Sequence, residues 1–330
     1  MKRKKIVVIG GGTGTYTVLT GLKKYPVDLT VIVSMMDSGG SNRVIRDEFG
    51  LLPTSDIRQC IVALSSEDSS RLLRKLFAYR YNQGTGISGM TFGNLFMAAL
   101  TDVYGSQDAA LQKTCEMLGV EGRIIPVTRE NTNLVARYDN GKQVLGEHYI
   151  DEADGDLCLH RIVELSVFPP ARANKSALKA IKEADLVVLG PGDLYTSIIC
   201  NLVIDGIDKA LRQTKAKLLY VMNLMTKYGQ TNDFTAKDHL TELERYVGTN
   251  AIDACLVNSS GSYAKRILGR YKEEKAHPVK DDLDGGLNIK VIRRSLISPK
   301  VHIKDKSDKL TRSLVRHDSA KLAKAIMSMV

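Results

Sequence analysis

From Lys5 to Ile9 the chain is a nearly continuous β-branched run that stops at Gly10-Gly11-Gly12-Thr13-Gly14. Thr15 to Lys24 then carries apolar residues at helical spacing, so the opening reads strand, glycine loop, helix. Leu29 to Ser34 is a second strand-like run, followed by Asp37-Ser38-Gly39-Gly40-Ser41. This order predicts a βαβ unit, and hence a mainly parallel sheet with helices on its faces. Ligands of such sheets bind beyond the carboxyl ends of the strands.

Helical patterns follow over Thr54–Leu64, Ser69–Arg80 and Asn94–Leu118, a helical insertion spanning about residues 47–120. Between about 123 and 168 the period changes. Ile124–Thr128, Leu134–Tyr138, Gln143–Glu147 and Ile162–Phe168 read as strands, with Asp139-Asn140-Gly141 as a hairpin signal, so a small antiparallel β excursion is expected. The α/β pattern resumes with Leu186–Leu189, Leu218–Val221 and Ala251–Val257, each leading into a polar or glycine-rich loop. The fold expected is α/β: a Rossmann-like three-layer body formed by residues 1–330 as one domain, with these insertions and a basic C-terminal segment over about 262–330.

Composition adds little to that picture, but the distribution of charge changes it. The 330 residues are 43% hydrophobic, ordinary for a folded soluble chain, and carry a net charge of +10. Residues 2–5 are Lys-Arg-Lys-Lys, and residues 262–330 hold 17 Lys and Arg against 8 Asp and Glu. The body, residues 6–261, has 26 basic against 29 acidic residues, so the excess is terminal and argues against a nucleic-acid surface. Cys60, Cys115, Cys158, Cys200 and Cys255 are far apart, with no Cys-x-x-Cys pair, which fits reduced thiols in the cytoplasm. No apolar run is long enough to span a membrane.

Two glycine loops carry the candidate chemistry. The first departs from a dinucleotide fingerprint, since Thr15 stands where the third glycine belongs, and it lacks the Gly-Lys-Ser/Thr of a Walker loop. Its backbone N–H groups at a helix start still suit a phosphate oxygen. The second is Gly190-Pro191-Gly192-Asp193-Leu194-Tyr195-Thr196-Ser197, where Thr196 and Ser197 either donate to phosphate or cap the helix. Between them, Asp37 could hold Mg²⁺ or a ligand hydroxyl, and Arg43 and Arg46 could clamp phosphate or face solvent. Asp56 and Arg58 follow a turn in which Thr54 or Ser55 caps a helix; taken alone they read as cap and surface charge. Asn223 either reads a base or sugar or closes its loop. Among the histidines, His317 in Arg316-His317-Asp318 is the one worth testing, with a surface position expected for it.

Taken together, these segments resemble the YvcK/CofD-like family. The resembling stretches are Ile9–Gly14, Asp37–Ser41 with Arg46, Leu52–Cys60, Phe92-Gly93-Asn94, Leu189–Ser197, Met222–Thr226 and Arg316–Asp318, in family order over almost the whole chain. The resemblance implies a Rossmann-like body with a ligand cleft above the strand ends. One branch of the family is the 2-phospho-L-lactate transferase, which uses Mg²⁺ and a guanosine diphosphate donor. The other is the gluconeogenesis factor, a cytoplasmic protein tied to cell-wall morphogenesis that binds UDP-sugars such as UDP-N-acetylglucosamine.

Both ligands are nucleoside diphosphates, so the resemblance implies a diphosphate between Gly10, Gly11, Gly12, Thr13 and Gly14 on one side and Gly190, Pro191, Gly192, Asp193, Tyr195, Thr196 and Ser197 on the other. Ser38, Gly39, Gly40, Arg46, Arg58, Gly93, Asn94 and Asn223 supply further contacts, with Tyr271 and Arg316 at the sugar or base end. Ser38, Gln230 and Asn232 stand where the family commonly has carboxylates, and Met90 where it has histidine. Lost carboxylates weigh against a metal-assisted transferase and leave Asp37 as the one magnesium ligand. The resemblance is also compatible with a homodimer. The function expected is therefore a nucleotide-sugar-binding factor, with the transferase as the alternative.

Overall fold

The structure is a computed structural model and describes residues 3–66, 71–261, 263, 265–284, 288–299 and 313–330. Seven parallel strands form the central sheet: β1 (Lys4–Ile9), β2 (Val27–Val33), β3 (Arg123–Pro126), β7 (Leu186–Leu189), β8 (Lys217–Val221), β9 (Ala254–Asn258) and β10 (Lys290–Arg294), in the order β10-β9-β8-β7-β1-β2-β3. The remaining strands, β4 (Asn133–Tyr138), β5 (Gln143–Leu145) and β6 (Ile162–Phe168), make a separate antiparallel sheet in the order β5-β4-β6.

Strand β1 sits at the centre because both of its faces are apolar. Ile6 and Val8 pack into one core with Leu19, Leu22, Ile61 and Ile326, whereas Val7 and Ile9 pack into the other with Ile181, Ile198, Leu240 and Tyr138. Each such Val or Ile side chain contributes about 1.5–3 kcal/mol when fully removed from water. The helices Gly12–Leu22, Ser55–Leu64 and Ser319–Met327 cover the first face. The second face is covered by Lys175–Glu183, Ile207–Gln213, Ala236–Val247 and the antiparallel sheet.

The connectivity fixes where a ligand can enter. From β1 the chain runs outward to β2 and β3, and from β7 it runs outward the other way to β8, β9 and β10. Order therefore reverses between β1 and β7, and the crevice above that reversal is where ligands of open α/β sheets bind. The two glycine loops lie there because they follow β1 and β7.

Some elements differ from the sequence reading. Ile124–Thr128 was expected in the antiparallel excursion, but Arg123–Pro126 pairs parallel with Thr30–Val33 as the edge of the main sheet. Ile124 and Ile125 face the two cores in alternation, which a strand buried on both faces requires. The excursion proper begins at Asn133, and its hairpin turns at Asn140-Gly141, with Gly141 at φ +82°. Asn94–Leu118 is two helices, Phe92–Tyr104 and Gln107–Met117, because Gly105 ends the first in the left-handed region and the Ser106 side chain caps the second. Gly40–Phe49 is helical and stops at Gly50, φ +63°, so helix begins ahead of the insertion expected from about residue 47. Of the expected Ser69–Arg80 helix, Arg71–Ala78 is described; Ser69 and Ser70 lie outside the described residues, as do 262, 264, 285–287 and 300–312 of the basic segment.

Candidate functional site

A cleft of about 550 Å³ opens above the ends of β1 and β7 and is lined by both glycine loops. The loops touch. Gly14, in the first turn of its helix, is packed so closely on the Pro191 carbonyl that a methyl group there would overlap it. Gly192 faces back, with Ser197 Cβ 2.9 Å and the Gly11 carbonyl oxygen 3.7 Å from where its Cβ would stand. Gly12 takes φ +64°, the left-handed region that glycine enters without steric cost. Asn223, just beyond β8, fixes the second loop: its Nδ2 donates to the Gly192 carbonyl at 2.7 Å, and Tyr220 Oη donates to its Oδ1 at 3.3 Å.

Asp56 occupies the mouth of the first loop. Its Oδ1 accepts from the Gly12 N–H at 2.9 Å, and a side chain on Gly11 would collide with its carboxylate. A carboxylate at a helix N-terminus is favourable, since unpaired N–H groups and the helix dipole both attract negative charge. The residue expected to be a helix cap is thus part of the cleft floor. Thr54 does occupy the N-cap position of the helix Ser55–Leu64, yet its side chain makes no capping hydrogen bond.

The opposite wall joins the expected Asp193 and Thr196 to Lys227 and Asp151, which sequence reasoning did not single out. Lys227, following the Met222–Thr226 segment, places Nζ 2.5 Å from Asp151 Oδ1 and 2.8 Å from Asp193 Oδ2. Asp151 also accepts from Thr196 Oγ1 at 2.7 Å and Gln230 Nε2 at 3.2 Å. Burial works against ionising Asp151, but Lys227 and these donors hold its carboxyl below the usual range. Burial raises the Asp193 carboxyl, and Asp151 adds to that against the pull of Lys227. Lys227 itself is held above its ordinary value by Asp193 and Asp151, which outweigh the cost of burial.

Glu147 closes the site from the antiparallel sheet. It begins the short helix Glu147–Asp151, accepts from the Ser38 N–H at 3.3 Å, and shares this turn with Asp37, whose Oδ1 accepts from the Gly39 N–H at 3.0 Å. The His148 N–H donates to Ser38 Oγ at 3.0 Å. Burial, with Asp37 and Asp151 close by, pushes the Glu147 carboxyl well above its ordinary value. Nothing local in the sequence marks Glu147 or Asp151, because they reach the cleft only through the tertiary docking of the excursion.

At the far end, Tyr271, Arg316 and His317 line the cleft. Tyr271 Oη accepts from the Leu314 and Val315 N–H groups at 3.0 and 3.2 Å, so it fixes the strap that carries Arg316. His317, expected on the surface, is 8% exposed. Burial lowers its imidazole to about 4, although a hydrogen bond to the Met222 backbone works the other way.

The remaining expected residues are divided between the cleft lining and positions behind or outside it. Arg58 lines it, buried, with Cδ against Gly93. Gly93 leaves room for that side-chain stem and for the Phe77 carbonyl, both of which a Cβ would meet. Asn94 is fully buried and donates to Ser41 Oγ at 2.9 Å and Ser55 Oγ at 3.2 Å, binding two helix starts together. Arg46 points away, since its helical position turns it toward Asn133 Oδ1 and Asn131 Oδ1, at 2.8 and 3.1 Å. Arg43 pairs with Asp47 in solvent. Tyr195 is buried in the core with Oη 3.4 Å from the Ile162 carbonyl, and Gly10 and Gly190 continue the sheet's hydrogen bonding to Ile32 and Ile9. Thr13, Asp37, Gly39, Gly40, Thr196 and Ser197 all line the cleft, while Ser38 serves to dock the Glu147 helix. Met90 is buried beside Ile45 and Ala98, and Asn232 donates to the Cys158 carbonyl at 2.5 Å.

Comparison with known proteins agrees with this architecture. Residues 6–297 match the family model described as 2-phospho-L-lactate transferase CofD. A protein of Thermotoga maritima named "Putative gluconeogenesis factor" is 39% identical over 98% of this chain and 98% of its own length. The gluconeogenesis factor of Bacillus subtilis is 34% identical over 100% of this chain and 99% of its own. The crystal structure of a UPF0052-family protein from Bacillus halodurans superposes with a TM-score of 0.88 at 33% identity, covering 99% of both chains. With the fold, the paired glycine loops and near full-length identity all in agreement, the chain belongs to the CofD family, alongside the gluconeogenesis factors.

Proposed function

We propose that the cleft binds a nucleoside diphosphate carrying a sugar, of the UDP-N-acetylglucosamine type, and that the chain acts as a cytoplasmic binding factor linking carbon metabolism to cell-wall morphogenesis. The observation that carries this reading is the contact of Gly14 with Pro191, which brings two glycine-rich loops to one crevice. The cleft volume of about 550 Å³ is within the range of small-molecule sites. Asp37, Glu147 and Asp151 offer acceptors for sugar hydroxyls, and Arg58, Arg80 and Arg316 offer charge for phosphate.

A second reading, a magnesium-assisted transferase, is favoured by one feature. Carboxylates outnumber cations around the cleft: Asp37, Asp56, Glu147, Asp151, Glu152, Asp193 and Glu274 face Arg58, Arg80, Lys227 and Arg316. A diphosphate entering such a cleft gains from a divalent ion. Among the described residues no three Asp, Glu, His or Cys side chains converge to hold one. Asp37 with its neighbour Glu147 is nevertheless a donor set that magnesium accepts when phosphate oxygens complete it. When bound, the ion would offset charge on a departing diphosphate.

Calorimetric titration with UDP-N-acetylglucosamine and with GDP, each with and without Mg²⁺, separates the two. The binding-factor reading requires the UDP-sugar to bind without metal. Binding of GDP alone, and only with Mg²⁺, would overturn it. Gly192→Val directs its side chain toward Ser197 and should abolish either interaction. A folded Gly192→Val protein with unchanged affinity would remove the second loop from the site.

A further inference from the structure

Asn94 was expected to touch a ligand, but it stands behind the cleft wall and controls two residues that line it. Its helix, Phe92–Tyr104, starts at Thr91, whose Oγ1 accepts from the Asn94 N–H at 3.4 Å. The side-chain Nδ2 donates to Ser41 Oγ at 2.9 Å and Ser55 Oγ at 3.2 Å, with Asn42 Oδ1 at 3.4 Å. Asn42 fixes which end of the amide faces the serines. Its Oδ1 accepts from the Thr54 and Ser55 N–H groups at 3.2 and 3.3 Å, so it is an oxygen, and the Asn94 atom beside it must be the nitrogen.

Both serine hydroxyls are therefore acceptors toward Asn94, and each keeps its own proton to give elsewhere. Among the described residues no acceptor takes either proton. Ser41 and Ser55 line the cleft, Ser41 at 6% exposure. Around them the other groups are donors as well. Gly39 and Gly40 open the helix Gly40–Phe49 onto the cleft, and the N-cap Gly39 brings no side chain to its N–H groups. Arg58 follows Ser55 by three residues on one helix, and Arg80, which also lines the cleft, bridges to Thr91 at the start of the other. The acids of this wall are turned to backbone: Asp37 accepts from the Gly39 N–H and Asp56 from the Gly12 N–H, so the first glycine loop has already given that donor away. We propose that Ser41 and Ser55 hold an oxyanion of the bound ligand, a phosphate or diphosphate ester, and that Asn94 is the positioning residue that turns both hydroxyl protons into the cleft. Hydroxyl, amide and guanidinium donors converging without an acceptor between them suit the oxygens of such a group. The assignment rests on the reading of the cleft as a site for a phosphorylated ligand, and it adds donors that the two glycine loops do not supply.

Calorimetric titration of the full chain with UDP-N-acetylglucosamine and, separately, with inorganic pyrophosphate tests this. Ser41→Ala with Ser55→Ala should weaken whichever probe the parent binds by at least about tenfold, the effect of one hydrogen bond to a charged group. Asn94→Leu frees both hydroxyls to rotate among their staggered positions and should weaken binding by up to about ninefold. The three changes together should bind no more weakly than the serine pair, because Asn94 acts only through those hydroxyls. A residue that merely fastened the helices would add its own loss, so an additive triple variant overturns the positioning role. Urea midpoints establish that each variant is folded, and Asn94→Ala replaces Asn94→Leu if the larger side chain prevents folding. Pyrophosphate binding that the serine pair weakens, without binding of UDP-N-acetylglucosamine, would sink the nucleotide-sugar reading and keep this subsite. A folded serine-pair variant that binds UDP-N-acetylglucosamine like the parent overturns the subsite and leaves the nucleotide-sugar reading standing. A parent that binds neither probe overturns both.

Discussion

Gly14 lies against the Pro191 carbonyl with no room for a methyl group between them, and the Gly192 nitrogen stands 3.2 Å from where that methyl's carbon would be. Both obstacles are backbone, so neither can rotate away. Gly14→Ala must therefore push the two loops apart, at a cost of about 2–3 kcal/mol, the upper part of the range for overpacking. Gly40→Ala is the comparison: nothing lies within 4 Å of its Cβ position, and only φ +51° opposes the change, at about 1 kcal/mol. Urea unfolding of the two variants should give midpoints in that order. Titration with UDP-N-acetylglucosamine should find binding lost in Gly14→Ala and retained in Gly40→Ala.

Lys227 holds two carboxylates that would otherwise repel each other. Removing it as Lys227→Met leaves Asp151 and Asp193 without a cation, and Lys227 and Asp193 retain 28% and 37% side-chain exposure, so the cost is about 2–3 kcal/mol, below that of a fully buried pair. Adding Asp151→Asn and Asp193→Asn should return most of that loss, because a neutral pair no longer needs the ammonium. If the triple variant is as unstable as the single one by urea unfolding, the cost arises from lost packing and not from charge.

His317 gives the fold a specific sensitivity to acid. In the unfolded chain its imidazole takes up a proton near the ordinary value of 6.5, while in the folded chain burial delays this to about 4. As pH falls through that window the unfolded state binds a proton that the folded state does not, so stability drops; below about 4 both states are protonated and the loss is complete. Between pH 7 and pH 5 the contribution is about 2 kcal/mol, from the free energy of a pKa unit. His317→Gln should lose stability at both pH values, yet fall less steeply between them. Parallel slopes for the two proteins would show that His317 does not set the dependence.

The strands β1, β2, β7, β8 and β9 and both glycine loops were legible in the sequence, because apolar runs ending in glycine or polar residues are local signals; β10 and the strand order, with its reversal between β1 and β7, emerge only from the tertiary pairing. The limits were equally physical. Arg46 was expected to clamp phosphate, but the helix Gly40–Phe49, which no local pattern placed, carries the side chain to Asn133. Arg123–Pro126 is one chain segment after the helical insertion and one before the hairpin, and only its pairing with β2 distinguishes the two sheets. Lys227 adjoins a segment already marked as part of the site, so a lone lysine after a strand-end loop was an available clue. Glu147 and Asp151 had none, since an excursion read only as β structure gives no sign of which residues fold back over the crevice.

Glu147 leads to the last expectation, a pH dependence of binding with a definite sign. The groups that face it are Asp37 and Asp151, which with burial favour its protonated form, and Lys227 and the Ser38 N–H, which oppose them less strongly. A protonated Glu147 adds no charge and can donate to a phosphate or sugar oxygen, whereas the ionised form repels an anionic ligand. Affinity for UDP-N-acetylglucosamine should accordingly decline as pH rises through the elevated range of this carboxyl. Glu147→Gln keeps the shape and an N–H donor but cannot ionise, so its binding curve should be flat over the same interval. Calorimetry across that range in buffers of equal ionic strength measures both. A Glu147→Gln variant that follows the parent's decline would locate the titrating group elsewhere, with the ligand's own phosphates the first to be considered.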